Sequence, residues 1–207
     1  SPSPDHDFGP GLEDRYDSAI AGADGWLGRM QELVQTLLPN PENTIYVVMS
    51  DHGTGLRRSS DERGKTLFND HTHVPLVIAG AGPPGRVAEP VGLLDLAPTL
   101  LDLAGFEPPG MPDMDGRSFA GLVRGESRAE EGEAYAVMVR DRSATRSGQA
   151  LVAGRFKLIV VDGRRPELYD LIADPAEARN LARRKPAVMA DLTARLARRR
   201  AADAVSP

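Results

Sequence analysis

An acidic side chain and an imidazole follow one another at the end of an apolar run. The run TIYVVMS covers residues 44–50, and Asp51 and His52 come directly after it. A carboxylate oxygen and a neutral imidazole nitrogen are both metal ligands, and Gly53 permits the chain to turn so that both reach one ion. The same residues also suit an ordinary turn after a strand, so the local pattern leaves two interpretations open.

A lysine and two histidines lie further along the same stretch. Lys65 stands thirteen positions after His52, and His71 and His73 precede the apolar run VPLVIAG. The ammonium group of Lys65 suits an anionic oxygen, or it belongs to a surface lysine whose stem lies along apolar atoms. The two histidines are candidates for a substrate site, and the alternative for each is a hydrogen-bonded structural histidine.

The elements that must position these residues alternate between helix and strand. Apolar residues recur at three- and four-residue steps over residues 13–38, which predicts an amphipathic helix. Residues 44–50 and 74–80 are nearly continuous runs of β-branched and other apolar residues and predict strands buried on both faces. Residues 91–106 predict a second helix, with Gly105 as its C-terminal cap. This alternation predicts an α/β fold, in which ligands gather beyond strand ends such as the one before Asp51.

The pattern changes in the second half of the chain. The segments EAYAVMVRD, QALVAGRFKLIVV and PELYDL are short and strand-like, with turns such as DGRR between them. They predict a small antiparallel meander in which Arg155 and Lys157 point to solvent. We therefore expect two domains, an α/β part over residues 1–130 and a small α+β subdomain over residues 131–207.

The last segment, DPAEARNLARRKPAVMADLTARLARRR, predicts a basic helix. Its arginines suit either nucleic acid or a solvated helix end, where cations complement the helix dipole. The net charge of −5 and the pI of about 5.4 favour the second interpretation, because nonspecific nucleic-acid binding depends on excess positive charge. We therefore expect no nucleic-acid partner.

The composition bounds the remaining possibilities. The chain has 207 residues and no cysteine, which excludes disulfides and thiolate metal sites. No apolar run approaches the roughly 18 residues of a membrane-spanning helix. The polar start SPSPDHDFGPG does not have the pattern of an export signal, and a start on Ser in loop-like sequence indicates a fragment. Localisation is therefore open.

Five motifs follow one another in a fixed order beyond residue 14. They are the helix YDSAIAGADGWLGRMQELV, NTIYVVMSDHG, GKTLF before HVPLVIAGAG, VGLLDLAPTLLDLAGF with MDGRSFAGLVRGE, and GRFKLIVV with PELYDLIADPAEARNLA. Together they cover nearly all of the chain. In this order they resemble the C-terminal part of a sulfatase in the alkaline-phosphatase superfamily.

The resemblance implies a fold and a set of roles. The fold is an alkaline-phosphatase-like sandwich, here the C-terminal half of its main sheet, with a small antiparallel subdomain. Asp51 and His52 match the pair that binds the active-site divalent metal, and Lys65 matches the lysine that contacts the sulfate or phosphate group. The substrate is then a sulfated or phosphorylated small molecule or glycan. Family members that are exported or periplasmic are compatible with the chain, which itself carries no signal.

The resemblance also implies a nucleophile that this chain does not contain. In the family it is a formylglycine made from Cys or Ser in a C/S-x-P-x-R motif. The chain has no Cys, and its SPSP is not followed by the required Arg. We therefore expect the formylglycine only in an N-terminal half of the same protein, and we expect this chain alone to be inactive.

The identity of the metal and of the reaction is left open by the residues. An oxygen-rich site favours Ca²⁺, whereas the imidazole of His52 favours Mn²⁺ or Zn²⁺; we expect Ca²⁺.

The leading hypothesis is a sulfate ester hydrolase. The alternatives are a phosphonate or phosphodiester hydrolase or phosphoglycerol transferase of the same superfamily, and a non-catalytic remnant of the fold.

Overall fold

The protein consists of two compact units. The structure, a computed structural model, describes residues 7–54, 66–106, 114–127, 131–139 and 146–203. One unit ends at Tyr46 and the other begins at Val47.

The predicted domain boundary lies elsewhere, between residues 130 and 131. The structure has a hydrophobic cluster that spans this position, since Leu67 packs with Ala150, Ile159 and Tyr169. Residues on both sides of the predicted boundary therefore contribute to one core. The two-domain description stays a prediction.

The first unit contains the predicted amphipathic helix. Helix α1 covers Leu12–Leu37 and is followed by a short 3₁₀ turn, Pro41–Asn43, where the prolines interrupt the helix. The carboxylate of Asp14 accepts a hydrogen bond from the backbone N–H of Gly11, which satisfies a free donor at the helix start. Much of the apolar stripe is exposed, including Ile20, Leu27 and Met30.

The two predicted apolar strands pair with each other. Strand β1 covers Tyr46–Met49 and strand β2 covers Leu76–Ala79, and together they form a two-stranded sheet. The expected burial on both faces is not observed, because Met49 is 39% and Val77 is 56% exposed. In β2 exposed side chains alternate with half-buried ones, so one face of the strand is accessible.

A one-turn helix, α2 (Asn69–Thr72), lies between these strands in the chain. Helix α3 covers Leu96–Leu103, and the short helix α4 covers Ala120–Val123. Gly105 has a φ of +69° just after α3, as predicted for a helix-capping glycine. None of the helices that the structure describes is long and apolar enough to cross a bilayer.

The DLAPTL and DGRS motifs contact each other. The carboxylate of Asp95 accepts backbone N–H groups from Gly92 and Arg117. The buried hydroxyl of Thr99 donates to the carbonyl of Asp95 and accepts the N–H of Phe119. These contacts fasten the segment around Arg117 to the start of α3.

The predicted meander is confirmed. Strands β3 (Glu133–Met138), β4 (Gly148–Ala153), β5 (Phe156–Val161) and β6 (Glu167–Asp170) form an antiparallel sheet in chain order. Helix α5 (Pro186–Asp203) packs on it. Leu158 and Leu168 of the sheet form a core with Leu192 and Leu196 of the helix. The predicted helix is shorter than expected, because the residues before Pro186 form turns.

The predicted exposure of Lys157 is wrong. Its relative exposure is 0%, and the side chain points into a set of polar acceptors. Arg155 is partly exposed, and its guanidinium pairs with the carboxylate of Asp170 at 2.7 Å. Strand alternation alone predicted that a lysine faces water, whereas a buried lysine requires partners that lie far away in the sequence.

Two arginines of α5, Arg195 and Arg200, contact side chains in or near the C-terminal sheet. Arg195 contacts the carboxylates of Glu131, Glu133 and Asp191 at 2.9 to 3.1 Å. Arg200 hydrogen-bonds to the side chain of Gln149. These contacts assign several of the basic groups to helix docking within the chain.

Candidate functional site

The Asp51–His52 pair lies just beyond the end of β1. The carboxylate Oδ1 of Asp51 accepts the backbone N–H of His52 at 2.9 Å, and the hydroxyl of Ser50 donates to the carbonyl of His52 at 2.8 Å. These bonds form a tight turn. The side chains stay accessible, since that of Asp51 is 84% and that of His52 is 50% exposed.

The imidazole of His52 has one nitrogen committed to the backbone. Its Nδ1 lies 2.8 Å from the carbonyl oxygen of Gly53. A carbonyl only accepts, so Nδ1 carries the proton and donates it. In the neutral ring, Nε2 then has a free lone pair. A hydrogen bond from the other nitrogen to a carbonyl is the usual arrangement behind a metal-ligating histidine.

The pair fits a divalent ion. His52 Nε2 and Asp51 Oδ2 are 3.9 Å apart. Nitrogen and oxygen ligands lie about 2.0 to 2.6 Å from such ions, so two donors at this separation are able to share one ion. The described residues hold no group of three or more His, Asp and Glu side chains that could form a metal site. Within those residues, the pair is therefore an incomplete ligand set.

Gly53 connects the turn to α2. Its backbone N–H donates to the carbonyl of His71 at 2.9 Å. A Cβ atom at Gly53 would lie 2.1 Å from the carbonyl oxygen of Asp70. The glycine in the SDHG motif is therefore required by the close approach of a second backbone, in addition to any role in turning the chain.

The two candidate histidines have different surroundings. His71 is 3% exposed, and its Nδ1 lies 2.7 Å from the hydroxyl of Thr66 and 3.2 Å from the carboxylate of Asp70. His73 is exposed at the end of α2. The structure therefore brings His71 to the Asp51–His52 turn through its backbone, whereas a contact of either imidazole with substrate stays a prediction.

Lys65 falls within residues 55–65, which lie outside the described part of the chain. Its predicted contact with an anionic oxygen stays a prediction.

A buried polar network contacts α2, and the sequence analysis did not predict it. The ammonium of Lys157 lies 2.9 Å from Glu177 Oε1, 2.9 Å from Asn69 Oδ1 and 3.0 Å from the hydroxyl of Thr72. Glu177 Oε2 also accepts the backbone N–H of Asn69 at 2.6 Å. The sequence feature that could have indicated this network was a lysine, Lys157, inside the apolar strand FKLIVV, with an acidic partner available in Glu177, the last residue of DPAE.

Comparisons with known proteins give a consistent result. A family model described as N-sulphoglucosamine sulphohydrolase, C-terminal, matches residues 61–202, and a model described as sulfatase matches residues 9–106. The choline-sulfatase of Rhizobium meliloti is 36% identical over 179 residues, which are 80% of this chain and 33% of that protein. The chain thus spans about a third of the length of this curated relative.

Solved structures show the same likeness. A 2-O GAG sulfatase matches with a TM-score of 0.67 and 28% identity, over 89% of this chain and 43% of that chain. The phosphonate monoester hydrolase of Agrobacterium radiobacter matches with a TM-score of 0.73 and 25% identity, over 91% of this chain and 41% of that chain. Together these likenesses confirm the α/β fold predicted from the sequence motifs.

Proposed function

Because the chain belongs to the sulfatase family of the alkaline-phosphatase superfamily, we propose that it contributes part of the catalytic centre of a metal-dependent sulfate ester hydrolase. The observation that carries the proposal is the Asp51–His52 pair. Both side chains are accessible at the tip of β1. The Nε2 atom of His52 lies 3.9 Å from Asp51 Oδ2, while Nδ1 is bonded to the carbonyl of Gly53.

The residues of this chain have distinct tasks in the proposed reaction. Asp51 binds the ion through its carboxylate, and His52 binds it through Nε2 while Nδ1 stays bonded to Gly53. When bound, the ion polarises the sulfate group and stabilises charge on the reacting oxygens. The ammonium group of Lys65 neutralises charge on a non-bridging or leaving oxygen of the ester. Asp51 must be ionised and His52 neutral to bind the ion, so metal affinity falls in acid.

The reaction also needs a nucleophile and further carboxylate ligands. We propose that an N-terminal half of the same protein supplies them, with a formylglycine as the nucleophile. The share of the choline-sulfatase that the chain covers, 33%, is consistent with such a division. The chain by itself is then expected to bind substrate and metal weakly and to be inactive.

The proposed substrate is a sulfated small molecule or glycan, and the proposed metal is Ca²⁺. The choline-sulfatase and the 2-O GAG sulfatase represent these two kinds of substrate among the matched proteins. The hard carboxylate of Asp51 suits Ca²⁺, whereas the imidazole of His52 would also suit Mn²⁺ or Zn²⁺.

The second candidate is hydrolysis of phosphonate or phosphate esters. It is supported by the likeness to the phosphonate monoester hydrolase of Agrobacterium radiobacter, which is 25% identical and covers 91% of this chain. Rates of the complete protein with an aryl sulfate and a phenyl phosphonate separate the two reactions. A higher kcat/KM for the phosphonate would replace the sulfatase assignment.

Metal analysis tests the site itself and the remaining alternative, a non-catalytic remnant. We expect the complete protein to retain Ca²⁺ after dialysis and to lose it in Asp51→Ala and His52→Ala. Asp162→Ala is the matched control, because Asp162 is an exposed acidic residue in the turn between β5 and β6. Equal metal content in Asp51→Ala and in the control would refute the assignment.

A further inference from the structure

We propose that Lys157 and Glu177 are positioning residues that hold the Asp51–His52 turn in place through α2. The inference concerns residues behind the site, and its consequence for metal binding rests on the proposed function. The C-terminal region then has a task besides its own folding, which is to hold a turn about a hundred residues earlier in the chain.

The ion pair between these residues is buried. The side chain of Lys157 is 1% and that of Glu177 is 2% exposed, and the charged atoms are 2.9 Å apart. Charges in such a place are tolerated only when they are paired and hydrogen-bonded. The acceptors around the ammonium are consequently confined to a narrow range of positions, and two of them, from Asn69 and Thr72, belong to α2.

Helix α2 depends on these contacts for its position. It has four residues, far too few for a helix that is stable by itself. Glu177 accepts the N–H of Asn69 at the start of the helix, and Lys157 binds side chains at both of its ends. The network therefore fixes both the position and the orientation of the helix.

Gly53 links α2 to the Asp51–His52 turn by hydrogen bonds. Its N–H is bonded to the carbonyl of His71 in α2, and its carbonyl is bonded to the imidazole of His52. A displacement of α2 thus breaks the first bond and moves the acceptor that orients the ligating ring. The path from Lys157 to His52 consists of hydrogen bonds and one short helix.

The backbone of Glu177 supports the same conclusion. Its φ is +53°, in the left-handed region that a residue with a side chain rarely adopts. Such a conformation persists only where surrounding contacts impose it, and it often marks a residue placed for a task. Here it brings both carboxylate oxygens to partners, one to Lys157 and one to Asn69.

A purely structural ion pair would stabilise the fold without affecting the turn, so the test must measure the turn directly. Amide hydrogen exchange of Gly53, followed by NMR without metal, reports the bond to His71. We compare Lys157→Met with Arg155→Met in the same protein. Arg155 is the matched control, since its ion pair joins the start of β5 to the end of β6 and includes no residue of α2.

We expect Lys157→Met to speed exchange at Gly53 by about two- to tenfold, the weight of one hydrogen bond. The comparison is made under conditions in which both variants have the same global stability. Should Lys157→Met fail to fold, the double variant Lys157→Met/Glu177→Gln takes its place, because it leaves no unpaired buried charge. Exchange at Gly53 equal to that of Arg155→Met would overturn the proposal.

A Ca²⁺ titration adds the functional consequence. Loss of a residue that orients a ligand typically weakens metal binding by about 10- to 100-fold, and we expect this in Lys157→Met but not in Arg155→Met. If the unmodified protein binds no metal, the proposed function fails while the exchange result still decides the positioning role. If metal binds equally tightly in both variants, the positioning role fails and the proposed function stands.

Discussion

The C-terminal sheet and the segment that carries the candidate site are built in different ways. In the sheet, Leu158 and Leu168 are fully buried between the strands and α5. In the site segment, strands β1 and β2 are short and half exposed, and their connection runs through a four-residue helix. The stable core thus lies in one region and the candidate ligands in the other, and the Lys157–Glu177 pair joins them.

This contrast separates residues that hold the fold from the candidate metal ligands. The exposed ends of Asp51 and His52 contribute little packing, so their substitution should leave the C-terminal core intact. Conversely, among the described residues the contacts of Lys157 and Glu177 in this region are with α2, and the proposed effect on the Asp51–His52 turn passes through that helix. Stability and ligand binding should therefore respond to different substitutions.

The largest expected effect is on stability, at the centre of the C-terminal core. We expect Leu158→Ala to lower the free energy of unfolding by about 2 to 5 kcal/mol, because it removes buried methyl groups and leaves a cavity. Urea unfolding followed by circular dichroism measures the change. The control is Val77→Ala in β2, whose side chain is 56% exposed and should cost about 0.5 kcal/mol or less. Equal costs would remove the distinction between the two regions.

The next largest effect should be a loss of catalytic rate with no change in stability. We expect Lys65→Ala in the complete protein to lower kcat about 100- to 1000-fold, because the role proposed for Lys65 is to hold a fixed charge next to the reacting oxygen. The melting temperature should stay within the error of the measurement. Arg164→Ala, in the exposed turn after β5, is the control for a lost surface cation. An unchanged rate in Lys65→Ala would show that this lysine is not part of the centre.

The sequence predicted the elements better than their surroundings. Local periodicity and turn residues were sufficient for α1, for an antiparallel meander and for the cap at Gly105, whereas the segment QALVAGRFKLIVV proved to contain two strands, β4 and β5. The exposure of Val77 and the burial of Lys157 were missed for one physical reason. Burial depends on which distant segments pack against a residue. Neither the segments that pack on β2 nor the acceptors at Asn69 and Thr72 are visible in the local pattern.

The sequence was enough to propose candidate ligands, whose metal binding stays a prediction, but it did not reveal how the backbone holds them. An acid and an imidazole at a strand end, with the family's order of motifs, were enough to name Asp51 and His52. The orientation of the ring depends on the carbonyl of Gly53, and Gly53 is held by His71 eighteen residues later. Such backbone contacts between loops involve groups that every residue carries, so the side-chain pattern does not reveal them.

The smallest expected effect is the acid dependence of the C-terminal region. The hydrogen bond from Arg155, opposed by burial and assisted by the N–H groups of Ala173 and Ile172, holds the pKa of Asp170 below its usual value of 3.8. A carboxylate with a lowered pKa in the folded state binds fewer protons there than in the unfolded chain. Its stabilising effect is therefore complete above the unfolded value and is lost as the pH falls through the folded one.

Asp170→Asn should accordingly flatten the fall in unfolding free energy at acidic pH, and its loss of stability relative to the parent should be largest near neutral pH. Urea unfolding at a series of pH values measures both slopes. Asp162→Asn, in the exposed turn after β5, should keep the slope of the parent. If Asp170→Asn also keeps it, the Arg155–Asp170 pair does not set the acid limit of the sheet. The dependence must then come from elsewhere in the chain, with the other lowered carboxyl, that of Asp102 bonded to Ser118 and Arg124, as the next group to replace.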